Sequence, residues 1–230
     1  NEIAAKLMEC GEYARKHDIR VTTHPGPFNV LGSPNPEVVE RTVVGLERHS
    51  ETFDLMGFEP SFENKINIHV GGAYGGQFEE TAKRWIAGWH RLSDNCKKRL
   101  VLENDDKPSL WSVQKLYDYF HKEIGIPITF DYHHHTFHPE ELSEEAALKL
   151  ARSTWPENVR QCTHYSESRA REKMDESIRP QAHSDYIIDK INTYGLDLDI
   201  VIEAKAKELA LLEYRNIYAY NNKNKKEVLI

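Results

Sequence analysis

With 230 residues, 39% of them hydrophobic, the chain can bury one substantial core and reads as a single domain, 1–230. A formal net charge of −7 argues against holding nucleic acid by bulk electrostatics, so a polyanionic partner would need a local positive source such as bound metal. Cys10, Cys96 and Cys162 are scattered and form no CxxC pair, which argues against a disulfide framework and for a reducing compartment. No apolar run nears the roughly 18 residues of a membrane span. The expectation is a soluble, intracellular protein, in cytoplasm and nucleoid or in a eukaryotic nucleus, with no membrane or obligate protein partner evident.

The chain opens inside a helical pattern, EIAAKLMECGEYARKH, with no strand before it. A first β-rich run, Ile19–Thr23, leads to a helix over 36–56, whose opening SPNPEVVER carries Ser and Pro where a helix start favours them. The rhythm repeats as strand Ile66–Val70 and helix 78–97, Leu100–Glu103 and 109–124, Ile126–Asp131 and 140–151. Val159–His164 with 183–193 and Leu198–Glu203 with 204–219 complete it. Six βα units predict a parallel sheet with helical crossovers, doubly wound or closed. A closed barrel wants about eight units, so the simplest reading is an α/β TIM (β/α)8 barrel lacking its first strand, first helix and second strand in this chain.

Polar residues recur at the strand ends: His24, His69, Glu103, Asp131 with His134, His164, and Glu203. In a βα barrel these ends surround one mouth, so side chains distant in sequence would converge there. Alternation supports this: in LDIVIEA, Leu198, Ile200 and Ile202 face one way, while Asp199, Val201 and Glu203 face the barrel interior. Unpaired interior carboxylates are costly. Divalent metal resolves the cost, since imidazole and carboxylate together suit Zn²⁺, Mn²⁺ or Fe²⁺, and seven candidates exceed one tetrahedral site. The stretch FDYHHHTFHP holds four of the twelve histidines. Within it Asp131 and His134, three apart, make the better ligand pair, and His133 and His135 suit supporting hydrogen bonds. His138 has the plainer reading of a structural residue, and His49, His90 and His121, within helical patterns, read as surface or packing residues.

The motifs THPGPF (23–28), HVGGAYG (69–75), LEND (102–105), FDYHHH (130–135), THYSES (163–168) and EAKAKE (203–208) stand in the order and strand-end positions of the UV damage endonucleases. The chain resembles that family from His24 to Lys207. The resemblance implies a TIM barrel related to endonuclease IV, up to three metals, usually Mn²⁺ with Zn²⁺ or Mg²⁺ as alternatives, and incision of UV-damaged double-stranded DNA immediately 5′ of the photoproduct. It places metal ligands on His24, His69, Glu103, Asp131, His134, His164, His183 and Glu203, with Glu103 bridging and with Glu103, Glu203 and His24 central to catalysis. His183 enters through the resemblance alone.

Three departures from the family pattern stand out. Pro27 and Phe28 occupy the damage-probing positions where the family commonly has Gln and an aromatic residue; Phe28 can still wedge or stack. Cys162 stands where the family often carries a lysine, and reads either as a packed core residue or as a thiolate near the metals. The family's N-terminal strands are absent from this sequence. The segment SESRAREKMDESIRP carries Arg169, Arg171, Lys173 and Arg179, which are expected to contact phosphates. Abasic-site cleavage like that of endonuclease IV, a sugar isomerase-like activity, and a non-cutting damage-binding relative remain alternatives.

Overall fold

Parallel pairing runs through the computed structural model in chain order, and residues 2–220 are described. Thr23 N–H donates to the Lys65 carbonyl and Asn67 N–H to the Thr23 carbonyl, which bridges Thr23 to Ile66. Strand β1 (Ile66–His69) pairs with β2 (Leu100–Glu103), and β2 with β3 (Ile128–Thr129), so that His69, Glu103 and Thr129 lie side by side. A bridge from Asp131 to His164 carries the order to β4 (Gln161–Tyr165), which pairs with β5 (Leu198–Ile202). Each position lies beside its chain neighbour, and all C-terminal ends share one rim. The wall curves back on itself. At its lower end Arg20 donates to the carbonyls of Phe62, Glu63 and Arg160 and lies 2.7 Å from Asp199 of β5.

The helices cover the outside. Helix α1 (Glu2–Lys16) lies on the end of α2 (Pro36–Leu55), where a Cβ on Gly11 would meet the Met56 carbonyl oxygen at 1.8 Å. Asn35 caps α2 by accepting from Glu37 N–H, and Pro36 fills the first helical position. The expected helix over 78–97 divides into α3 (Phe78–Trp89) and α4 (Asp94–Lys97), because Ser93 starts a new helix by capping Cys96 N–H. The pattern over 109–124 becomes α5 (Val113–Leu116), a π-helical turn (Tyr117–His121) and α6 (Lys122–Ile124), ended by Gly125 at φ +68°. Short α7 (Tyr132–Phe137) precedes α8 (Glu144–Ser153), α9 (Arg169–Lys173) follows β4, and α10 (Glu208–Tyr214) runs into a π-helical segment, Arg215–Tyr220.

Two expected elements are corrected. Ile19–Thr23 forms a single bridge rather than a strand. Residues 183–193 form no helix, because the backbone N–H groups of Asp185, Tyr186, Ile188 and Asp189 donate to the carboxylates of Glu172 and Glu167 instead of to helical carbonyls.

Apolar packing falls on the two faces of the wall. Ile66, Ile68, Leu100, Leu102 and Ile128 pack outward with Leu46, Trp85, Leu116 and Phe120 of the helical layer. Inside, Val101, Trp155, Val159 and Cys162, with Phe62 against them, plug the barrel below the polar rim. No helix among the described residues is long and apolar enough to cross a membrane.

Candidate metal centre

Alternation along the strands decides what reaches the rim. Lys65, Asn67 and His69 share one parity, as do Val101 with Glu103 and Cys162 with His164, and these faces meet at Glu103. Its carboxylate is buried, with His24 Nε2 at 3.0 Å and His69 Nε2 at 3.8 Å from Oε2. His164 Nδ1 at 3.2 Å and His134 Nδ1 at 3.6 Å approach Oε1, and Asn67 Nδ2 donates to Oε2. Glu203, just past β5, lies 3.0 Å from His164 Nδ1.

Asp131 ends the β3 run and caps α7 by accepting from His134 N–H at 2.7 Å. That cap explains the DYHH stretch: one helical turn carries His134 back over the aspartate. Its Nδ1 lies 2.8 Å from the Asn104 carbonyl, and Asn104 also bonds both backbone groups of Asp131.

The rings are held in a common way. Nδ1 of His24 faces the Pro25 carbonyl at 3.1 Å, Nδ1 of His69 faces Asp105 Oδ1 at 3.1 Å, and Nδ1 of His183 faces the Glu203 carbonyl at 3.2 Å. With Nδ1 of His24, His134 and His183 set against carbonyls, their Nε2 atoms are the ones left for a ligand, and His69 is held by an ion-pair contact to Asp105. His164 is reversed: its Nδ1 faces the carboxylates, and its Nε2 lies 3.0 Å from the buried Lys65 ammonium.

The charges are tightly coupled. Burial raises the Glu103 carboxyl, but the His164 and His69 charges and the bonds from His164 and His24 outweigh it and hold the group well below the usual range. Burial lowers His69, yet Glu103 and Asp105 lift it to about 10. His164, also lowered by burial, is raised by Glu103 to about 9. Burial lifts Asp131 to about 7 against the pull of His134. Burial depresses Lys65.

Seven sequence-expected residues therefore come together. His24, His69 and Glu103, then His24, His164 and Glu203, then Glu103, Asp131 and His134 form groups whose ligand atoms lie within 4.8 Å of one another. Asp131 Oδ2 is buried without a hydrogen-bond partner among the described residues, which suits a cation better than a closed polar network. This donor set fits divalent metal. His183 is in none of the three groups but lines the same cavity, about 320 Å³, with His24, Pro27, His69, Glu103, His134 and Glu203. A larger cavity, about 870 Å³, opens at the opposite end of the strands around Arg15, Arg20, Arg152 and Arg160. Its guanidinium groups already serve carbonyls or carboxylates, and the reactive groups lie at the smaller one.

The other expected positions separate. Phe28 is 87% exposed beside the cavity mouth. His133 Nε2 faces the Gln181 carbonyl at 3.1 Å, and His135 and His138 are buried. Cys162 packs against Val101, Trp155 and Val159, and burial pushes its thiol up. Three of the basic loop residues face acids of the same loop: Arg171 lies 2.7 Å from Asp189, Lys173 2.8 Å from Asp185, and Arg169 3.7 Å from Asp185. Lys65, Asn67, Asn104 and Asp105 escaped the sequence reading. For Lys65 and Asn67, shared parity with His69 was the available signal.

Fold and site together define a TIM-type α/β protein with a histidine–carboxylate centre at the C-terminal rim. A sequence profile described as UV-endonuclease UvdE matches residues 1–228, and the chain belongs to that family. The UV-damage endonuclease of Schizosaccharomyces pombe is 36% identical over 224 residues, covering 94% of this chain and 36% of the yeast protein. A UV DNA damage endonuclease of a Nostoc species is 32% identical over 220 residues, covering 94% and 64%. The chain thus spans about a third of the length of the yeast relative and under two thirds of the cyanobacterial one. The crystal structure of SacUVDE superposes with a TM-score of 0.82 at 32% identity, over 97% of this chain and 73% of that one. Endonuclease IV from Thermus thermophilus shares the fold, with a TM-score of 0.61 at 14% identity over 91% and 80%.

Proposed function

We propose that this chain carries the catalytic centre of a DNA repair endonuclease that hydrolyses the phosphodiester bond immediately 5′ of UV photoproducts in double-stranded DNA. The observation that carries the reading is the convergence of His24, His69, Asp131, His134, His164 and Glu203 around the buried Glu103. These residues, with His183, would hold up to three divalent metals, Mn²⁺ before Zn²⁺ or Mg²⁺, with Glu103 shared between sites. Bound metal supplies an activated water, charge relief on the phosphate oxygens and stabilisation of the leaving 3′ oxygen.

The remaining work belongs to the chain. The Pro25 and Asn104 carbonyls hold the rings of His24 and His134, and the Asp105 carboxylate holds His69 by an ion-pair contact, so the rings need little reorientation. Glu103 and Glu203 bring negative charge to the centre, and Asn67 orients Glu103. Phe28, exposed beside Pro27, would enter the gap left by an extruded lesion, and a photoproduct that already weakens stacking lowers the cost of extrusion. Of the basic loop residues, Arg179 is the best placed to take a phosphate, since the other three face Asp185 and Asp189.

Replacement of the usual probing Gln by Pro27 favours abasic sites as a second substrate. The test is incision, with Mn²⁺ added, of matched duplexes carrying one cyclobutane dimer, one abasic site or no lesion, with Glu103→Gln as control. Incision just 5′ of the dimer that is lost in the control is expected. Cutting at the abasic site alone would transfer the function to the second reading. Inability to cut any duplex, with metal bound, would overturn both.

A further inference from the structure

We propose that Glu172, backed by Glu167, is a positioning residue that holds His183 over the centre. This deepens the functional reading above and rests on His183 being a metal ligand. The other ligand candidates sit at or just past a strand end, at an isolated parallel bridge, as Asp131 does and as His24 does just after Thr23, or, like His134, on the helical turn that Asp131 caps. His183 instead follows residues 166–182 after β4, and its backbone is tied by an antiparallel bridge to Ser168 and, at the next two residues, by Lys205 N–H and Ala206 N–H donating to the Ser184 and Asp185 carbonyls. A ring delivered by a loop keeps its place only if the loop is fixed.

The fixing groups are two carboxylates. Glu172, on α9, accepts from Asp185 N–H at 3.0 Å through Oε2 and from Tyr186 N–H at 2.9 Å through Oε1. Glu167, buried, accepts from Ile188 N–H at 3.0 Å and Asp189 N–H at 2.8 Å. Each carboxylate thus binds two successive N–H groups, the charge-assisted arrangement that is both strong and directional. The Glu172 clamp begins two residues after His183. Just before and after the ring, Arg169 N–H donates to the Ala182 carbonyl and Ser184 N–H to the Glu167 carbonyl. The peptide beyond the ring is therefore gripped from both sides, and the ring lines the cavity with Nδ1 against the Glu203 carbonyl. Lys173 and Arg171 face Asp185 and Asp189 of the same segment, so the basic residues of the loop reinforce the clamp.

The test is Mn²⁺ titration of the full chain, followed by the EPR signal of free Mn²⁺, for wild type, Glu172→Ala, Glu172→Gln, His183→Ala and the Glu172→Ala/His183→Ala pair. Glu172→Ala should weaken the Mn²⁺ site that His183→Ala weakens, by about tenfold or more. The double variant should bind no worse than His183→Ala, because both changes act through one ring. Glu172→Gln keeps one acceptor oxygen and carries the test if the alanine variant fails to fold; a loss of several-fold is expected. Wild-type affinity in both Glu172 variants, with a site lost in His183→Ala, would overturn the positioning role alone. Losses that multiply in the double variant would also overturn it. Wild-type binding in His183→Ala would remove the ligand reading and the inference with it.

Discussion

Metal uptake by this centre should release about two protons near pH 8. In the metal-free protein His69 is raised to about 10 and His164 to about 9 by the buried Glu103 beside them. At pH 8 such groups are about 99% and about 90% protonated, and both must give up a proton to become ligands. Asp131, near 7, adds only about a tenth of a proton at that pH. Injecting Mn²⁺ into metal-free protein in two buffers of different ionisation enthalpy measures the number directly. The apparent affinity should rise by about two log units per pH unit between pH 7 and 8.5, and flatten above pH 10 as both rings deprotonate unaided. Release of fewer than about half a proton at pH 8, with metal bound, would mean that neither imidazolium is displaced and that the ring geometry has been misread.

Other consequences are equally open to measurement. The raised His69 and His164 stabilise the metal-free fold fully below about pH 6.5 and lose that contribution as pH climbs through about 9 to 10, whereas the depressed Glu103 contributes above about 4.5 and loses it on acidification. Denaturation of metal-free protein should therefore show greatest stability from these groups between about pH 4.5 and 6.5, and Glu103→Gln should flatten the alkaline fall. Arg20→Ala removes donors to three carbonyls and to Asp199, and should cost about 2–3 kcal/mol by urea titration, the half-exposed Asp199 limiting the ion-pair share. Phe28→Ala should lower incision at a dimer about tenfold while leaving Mn²⁺ affinity unchanged; an unchanged rate would remove the wedge role. Arg179→Ala should reduce DNA affinity and lessen its salt dependence by about one unit of slope, and the triple Ala variant of Arg169, Arg171 and Lys173 should instead loosen the 183–191 segment.

The strand-end residues were legible because a parallel barrel turns sequence rhythm into convergence. Once Leu100 and Leu102 face the helices, Glu103 must face in, and the same parity brings His69 and His164 to it. His183 was not legible, because nothing local sets its position: the clamps of Glu167 and Glu172 act across the loop, and Ile187, Ile188 and Ile191 mimic a helical stripe on a segment whose N–H groups are already committed. The Ile19–Thr23 run misled for a similar reason, since β-rich composition states a preference while pairing needs a neighbour, and only Thr23 has one. Lys65 was hidden by its ordinary preference for the surface. Here it lies inside the barrel against His164.

The strand-end polar set is proposed as a divalent-metal centre. Anomalous diffraction at the manganese edge from Mn²⁺-soaked crystals tests this most directly. Peaks among His24, His69 and Glu103, among His24, His164 and Glu203, and among Glu103, Asp131 and His134 are predicted, with the two at the groups that contain Glu103 weakened or lost in Glu103→Gln. A clean map at these positions, at Mn²⁺ concentrations that support incision, would contradict it.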